Sequence, residues 1–241
     1  MCRMIASVGA TSAELQGIFR AFRDGSECDP CVTGALGEKY TCHPNGWGYA
    51  LYDGKNLHHY RSNLPVWKDA TPLPKLSGER IYAIFHSRLA SDPNLDAPVC
   101  SHPFIATTDK EVILFAHNGG IQEDVPLPNV VDSEWGLAQV VKAGSVEGAL
   151  PTLKQSTKPN SALNLVILAI SRDKTKRPVL HCLNFHKSEN PQRIAYYNMH
   201  TGNLGRGRLF FSSTFTMLKE PIAGLVNVQL APFGELFDLA G

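Results

Sequence analysis

Apolar positions recur along this chain in two rhythms, one of period two and one near 3.6. Met4 to Val8 is largely apolar, so residues 2 to 9 predict a short buried strand ending at Gly9. Thr11-Ser12-Ala13-Glu14 has the spacing of a capping box. Leu15, Ile18, Phe19 and Phe22 continue it as the apolar stripe of a helix that Gly25 closes. Ser26 to Asn45, rich in Gly, Cys, Asp and Pro, predicts loop. Trp47 to Tyr52 and Asn56 to Arg61 predict strands joined at the hairpin turn Asp53-Gly54. Pro65, Pro72 and Pro74 make Leu64 to Leu76 a rigid surface connection.

Two nearly continuous apolar runs follow, Ile81 to Phe85 and Val112 to Ala116, which predict strands buried on both faces. Each leads directly into a polar cluster, His86-Ser87-Arg88 and His117-Asn118-Gly119. Asp132-Ser133-Glu134 reads as the cap of a helix over Trp135 to Lys142. A second helix is expected over Val146 to Lys154 despite Pro151. Further strands are expected at Leu163 to Ser171, Val179 to Phe185, Arg193 to Asn198, Leu209 to Ser212 and Val226 to Leu230. Strands, then two helices, then strands argue for an α+β layered fold with antiparallel sheets. No internal repeat, low-complexity run or linker divides the chain, so residues 1–241 are read as a single domain.

Composition narrows the function classes. Lys+Arg 23 against Asp+Glu 22 leaves a net charge of +1, without a basic block, which disfavours nucleic acid as a partner. The apolar stretch Ala162 to Ile170, interrupted by Asn164, is too short to cross a bilayer, and Arg3 is followed by only five apolar or small residues before Gly9. A soluble, cytoplasmic protein with no membrane partner is expected. The six cysteines are then expected as thiols or metal ligands rather than a disulfide framework. Cys28, Cys31, Cys42 and His43 would suit tetrahedral zinc by type, but Cys42 and His43 are adjacent and no second Cys-x-x-Cys completes the set. Free or redox-sensitive thiols in a loop are the preferred reading, and no metal is assigned.

Cys2 changes the picture most. Removal of Met1 by an aminopeptidase, which requires a small second residue, would leave a thiol and a free α-amine on one residue. With reference pKa values of about 8 for the amine and about 8.5 for the thiol, the amine can accept the thiol proton near neutrality. Cys2 also reads as the plain start of a buried strand. Polar residues at the ends of buried strands are what an active site on a sheet edge requires. Arg88, Asn118-Gly119 and Asp132 occupy such ends, although each has a bland alternative as a surface arginine, a tight turn and a helix cap.

In order along the chain stand Met1-Cys2-Arg3-Met4, Asn45-Gly46-Trp47-Gly48, His86-Ser87-Arg88-Leu89-Ala90-Ser91, His102-Pro103-Phe104, Phe115-Ala116-His117-Asn118-Gly119 and Asp132-Ser133-Glu134. This series resembles the class-II glutamine amidotransferases of the N-terminal-nucleophile hydrolase fold, by motif over residues 1 to about 145 and more loosely beyond. The resemblance implies a four-layer αββα sandwich of two antiparallel sheets. It implies that Cys2 attacks the γ-amide of glutamine or a γ-glutamyl compound, with its own α-amine as base. Asn118 and Gly119 would form the oxyanion hole, Arg88 and Ser91 would hold the substrate α-carboxylate, and Asp132 the α-ammonium. No metal or organic cofactor is implied.

The chain departs from the family in two places. Asn45 stands where many stand-alone relatives carry Asp, and Leu89 replaces an aromatic residue, a change expected to loosen the substrate pocket. Two enzymatic readings follow, a self-sufficient hydrolase of γ-glutamyl amides and a glutaminase subunit supplying ammonia to a separately encoded synthase. A catalytically silent binding protein of the same fold is the third.

Overall fold

The computed structural model describes residues 2–90, 97–121 and 131–241. Along the chain run β1 (Cys2–Ala10), α1 (Ser12–Glu27), α2 (Val32–Leu36), β2 (Trp47–Tyr52), β3 (Leu57–Ser62) and β4 (Ile81–Arg88). Then come β5 (Phe104–Thr107), β6 (Glu111–Gly119), α3 (Asp132–Ala143), α4 (Val146–Ser156), β7 (Leu163–Ser171) and β8 (Val179–Leu183). The chain closes with α5 (Pro191–Tyr197), β9 (Met199–Leu204), β10 (Gly207–Ser212), β11 (Leu225–Leu230) and β12 (Leu236–Asp238). The strands form a seven-stranded sheet in the order β11-β9-β10-β1-β4-β2-β3 and a five-stranded sheet in the order β12-β8-β7-β6-β5. Neighbouring strands pair antiparallel throughout.

The alternation of side chains along each strand builds the layers. From β1, Met4, Ala6 and Val8 pack with Leu114 and Ala116 of β6 and Val166 and Leu168 of β7, forming the core between the sheets. Ile5 faces the other way and joins Leu15, Ile18 and Phe22 of α1. On the far face of the second sheet, Phe115, Leu165 and Ile167 are covered by Leu137 and Val140 of α3 and by Ala149 and Leu153 of α4. Helix, sheet, sheet, helices: the expected αββα sandwich is present.

Helix α1 begins at the expected capping box. Thr11 accepts from the Glu14 N–H at 3.2 Å, and the Glu14 carboxylate accepts from the Thr11 N–H at 2.7 Å. Gly25 does not end the helix, however. It lies inside α1, where a Cβ would come within 2.7 Å of the Phe215 ring, so the glycine serves close packing. Short α2 interrupts the expected loop, burying Val32 and Ala35 against Tyr196 and Tyr197. The expected strand at Arg193 to Asn198 is helix α5, whose Asn190 cap accepts from the N–H groups of Gln192 and Arg193, with Pro191 in its first turn. Strands β4 and β6 run further than their apolar cores, taking His86, Ser87 and Arg88, and His117, Asn118 and Gly119, into the ladders themselves. At the outer edge of the larger sheet, β11 breaks register between Val226 and Gln229, where Asn227 adopts φ 54°.

Candidate active site

The first residue of β1 lies at the centre of the larger sheet. Cys2 is directly opposite Arg88 on β4 and is 7 % exposed. Its backbone nitrogen donates to Asn118 Oδ1 at 2.8 Å, so one hydrogen bond joins the two sheets at Cys2. The side-chain Nδ2 of Asn118 is buried and has no partner among the described residues. With the carbonyl oxygen engaged by Cys2, the amide is oriented with its NH2 available to an oxygen outside the protein.

Gly119 follows as the last residue of β6, opposite Leu163, with φ 144°. A Cβ at this position would overlap the Ala162 carbonyl, a piece of backbone that packing holds in place. Gly119→Ala is therefore expected to lower stability by at least about 2 kcal/mol, measured by urea unfolding, because both the dihedral and the clash oppose it.

Arg88 is buried, and its backbone is locked into the loop that precedes β2. The Arg88 N–H donates to the Gly46 carbonyl at 2.9 Å, and the Asn45 N–H donates to the Arg88 carbonyl at 3.0 Å. Asn45 Oδ1 accepts from the Ala90 N–H at 3.1 Å. Leu89 is buried with Val32, Ala162, Tyr196 and Tyr197, so its side chain fills core space where an opening had been expected. Ser91 lies outside the described residues.

Asp132 is the first residue of α3 and does not cap it; the cap position is Val131. Its Oδ2 accepts from the Ile121 N–H at 2.8 Å, fastening the stretch that leaves Gly119. His117, on β6, feels the charge of both Asp132 and Cys2. His117 Nδ1 is 3.0 Å from Ser133 Oγ, and burial pushes this imidazole's pKa down although the two acidic groups oppose the shift.

The sequence reading had quoted the three motif histidines without giving them roles. His86 Nε2 lies 3.1 Å from the His117 carbonyl, and the rings of His86 and His102 meet at a 34° tilt with centroids 4.0 Å apart. His102 is held well below the ordinary histidine value by burial, helped by the neighbouring His86 and His117. Burial alone would raise the Cys2 thiol. The positive charge at the chain's amino terminus, the charge and hydrogen bond of His86 and the Leu89 N–H outweigh it, and the thiol is lowered to about 5.

The opposite face of β1 carries a second buried polar group that sequence reasoning missed. Arg3 Nε donates to Asp29 Oδ2 at 2.6 Å, its Nη1 donates to the Tyr196 carbonyl at 2.9 Å, and its guanidinium stacks 3.5 Å above the Tyr196 ring. Asp29 also accepts from Thr214 Oγ1 at 2.6 Å and from the Cys31 N–H at 2.9 Å, and lies 2.7 Å from His43 Nε2. His43 is thus committed to a carboxylate, and no group of three or more side chains able to hold a metal occurs among the described residues. The possible zinc set is not assembled. Cys28, Cys31 and Cys42 are free thiols, together with Cys2, Cys100 and Cys182.

No family model matches the sequence, and no curated protein matches it. Two solved structures share the fold, and a third is more distant. A glutamine phosphoribosylpyrophosphate amidotransferase from B. subtilis, complexed with ADP and GMP, superposes with a TM-score of 0.63 at 13% identity, over 98% of this chain and 46% of that chain. A structure described as the allosteric regulatory enzyme of purine biosynthesis gives the same TM-score of 0.63, 13% identity and the same coverage, 98% and 46%. A predicted glutamine amidotransferase from Pseudomonas aeruginosa PA01 gives a TM-score of 0.40 at 16% identity, over 98% of this chain and 92% of that one. The chain spans less than half the length of the first two. The chain shares the fold of that glutamine phosphoribosylpyrophosphate amidotransferase, with two antiparallel sheets layered between helices. No helix among the described residues is long and apolar enough to cross a membrane.

Proposed function

We propose that this chain is an N-terminal-nucleophile amidohydrolase that cleaves the γ-amide of glutamine or of a γ-glutamyl compound through a thioester on Cys2. The observation that carries this reading is the bond from the Cys2 nitrogen to Asn118 Oδ1, which leaves the buried Asn118 Nδ2 unpartnered beside a lowered thiol. A thiolate, a donor waiting for an oxyanion, a buried arginine opposite the sulfur and the carboxylate of Asp132, whose charge also acts on His117, suit an uncharged amide carried by a zwitterionic amino-acid head.

The chemistry balances as an acyl transfer. The sulfur of Cys2, once Met1 is removed, adds to the γ-carbonyl carbon, and the oxygen takes the charge between Asn118 Nδ2 and the Gly119 N–H. Collapse breaks the C–N bond, the leaving nitrogen takes up the thiol proton, and ammonia or an amine departs. Water then cleaves the thioester, giving a free γ-carboxylate and restoring the thiol. Arg88, with Ser91, would pair with the substrate α-carboxylate and Asp132 with its α-ammonium. A cytoplasmic setting and catalysis without a metal or organic cofactor belong to this reading.

A second reading is that this chain acts as the glutaminase of a pair and passes ammonia to a separately encoded synthase; the solved structure whose fold it shares is a glutamine phosphoribosylpyrophosphate amidotransferase. Ammonia release from glutamine that rises when such a partner is added would support it over simple hydrolysis.

The test is intact mass after incubation with a diazo-ketone analogue of norleucine. A chain lacking Met1 and carrying one adduct, mapped to Cys2, is expected. Retained Met1 and an unmodified Cys2 would overturn the catalytic reading and leave a silent binding protein of the same fold.

A further inference from the structure

We propose that Cys28 and Cys42 form a reversible disulfide, closed by a small-molecule disulfide such as oxidised glutathione, that fastens the connection between α1 and β2. The pair lies outside the candidate active site, and nothing in the proposal depends on an amide being the substrate.

The backbone brings the two residues opposite each other. Cys28 ends α1 in an extended conformation, φ −136° and ψ 96°, with its N–H donating to the Asp24 carbonyl at 2.9 Å. From there the chain runs against the segment that approaches β2. The Asp29 N–H donates to the Thr41 carbonyl at 3.0 Å, and the His43 N–H donates to the Ser26 carbonyl at 2.8 Å. These two bonds run in opposite directions and close a ring with Cys42 on one side and Glu27 and Cys28 on the other, two residues against one as in a β-bulge. Residues facing each other across antiparallel segments have Cα atoms about 4.5–5.5 Å apart, and a disulfide spans about 4.4–6.8 Å. The next residue along each segment gives the side-chain direction. Asp29 and His43 are buried and meet at 2.7 Å. By the alternation of extended backbone, Cys28 and Cys42 both point the other way, in keeping with an exposed Cys28 and a half-buried Cys42.

The other thiols are placed differently. Cys31 would complete a Cys-x-x-Cys pair with Cys28, but its Sγ lies 3.4 Å from Met217 Sδ and 3.9 Å from Ser213 Oγ, on the segment after β10. Cys100 and Cys182 are buried in apolar clusters. The exchange takes two steps. The exposed Cys28 gives up its proton and its sulfur attacks one sulfur of the small disulfide; that S–S bond breaks, and one small thiol leaves with a proton. The Cys42 sulfur then displaces the second small thiol from Cys28, which takes the Cys42 proton as the protein S–S bond forms. Two protein thiols are oxidised and one small disulfide is reduced. The new bond joins the residues that directly precede Asp29 and His43, so closing it pins the carboxylate that holds Arg3, the neighbour of Cys2.

The test maps the thiols. Reduced wild-type chain is incubated in glutathione buffers of rising disulfide content, the remaining thiols are blocked with N-ethylmaleimide, and the digest is read by mass spectrometry, with the Cys2 peptide scored separately. Peptides linked through Cys28 and Cys42 are expected, two hydrogens lighter than the free pair and separated again by dithiothreitol. The unfolding temperature of the oxidised chain is expected to rise by about 5 °C or more, since the bond closes a loop of about 15 residues. Cys31→Ser should keep both results, and Cys28→Ser or Cys42→Ser should abolish both. Recovery of Cys28 and Cys42 as blocked thiols or as glutathione adducts would overturn the proposal. Linkage of Cys28 to Cys31, or an unchanged unfolding temperature in the linked chain, would overturn it equally. Should a serine variant not fold, the wild-type map and its unfolding temperature decide alone.

Discussion

Cys2→Ala is expected to lose ammonia release from glutamine, or amine release from a γ-glutamyl amide, by a factor on the order of 10^4 or more. The unfolding temperature should stay within about 4 °C of wild type, since a loss near 1 kcal/mol shifts a chain of this size by that much. Only the sulfur is removed. The backbone of residue 2 keeps its pairing opposite Arg88 and its N–H bond to Asn118, so Arg88, Asn118 and Gly119 remain where they are. Such a variant retains whatever substrate affinity the other groups provide and loses covalent catalysis alone. A Cys2→Ala chain that hydrolyses amide at the wild-type rate would end the nucleophile assignment.

Asp29→Ala should produce the largest loss of stability, about 3–5 kcal/mol in urea unfolding. The substitution strands the Arg3 guanidinium in a site with no exposure, and it removes the acceptor for Thr214 Oγ1 and the Cys31 N–H. The same group predicts how stability varies with pH. Burial works against ionisation of Asp29, but Arg3 and His43 outweigh it and hold the carboxyl well below its usual range. Its contribution is therefore present above about pH 3.9 and is lost as pH falls through the folded value. Burial lowers His43 to about 4 in spite of its carboxylate partner. Between about pH 6.5 and that value the unfolded chain binds the proton and the folded chain does not, so stability rises with pH there. His102 and His117, also lowered, act in the same direction. Unfolding free energy is expected to fall on acidification from pH 7 to 4.5, with roughly 3 kcal/mol from His43 alone by pH 4. Flat stability over that interval would contradict a neutral, buried His43.

Where local chemistry decides an element, it can be read from the residues alone. The reciprocal bonds of Thr11 and Glu14 start α1, Asp53-Gly54 turns β2 into β3, and the apolar run of Leu163 to Ser171 is β7 to the residue. Arg193 to Asn198 misled because Ile194, Tyr196 and Tyr197 favour strands; the overriding signal was Asn190-Pro191, a cap followed by proline. Helix α1 runs on past Gly25, where a distant residue, Phe215, occupies the space of a side chain. Strand β9, with only Met199 and Leu204 as clear apolar positions, carries no local pattern and exists because β10 and β11 flank it. In the site, the motif order picked out Cys2, Arg88, Asn118, Gly119 and Asp132. Of these, Cys2 is joined to Asn118 and paired opposite Arg88, and the charges of Asp132 and Cys2 both act on His117. The Arg3, Asp29 and His43 group could not be read, since its members look like a residue beside the nucleophile, a Cys-x-x-Cys filler and a candidate ligand.

The break in β11 bears on how this protein behaves at high concentration. Val226, Val228 and Leu230 are all more than 40% exposed on the last strand of the larger sheet, where a straight ladder edge would template another chain. The left-handed turn at Asn227 and the register jump up to Gln229 interrupt the row of backbone donors and acceptors at mid-strand. An incoming strand can then match only two or three residues before its alignment fails. The sheet ends there with its greasy rim on view, yet with no continuous rail along which a second molecule can zip itself on.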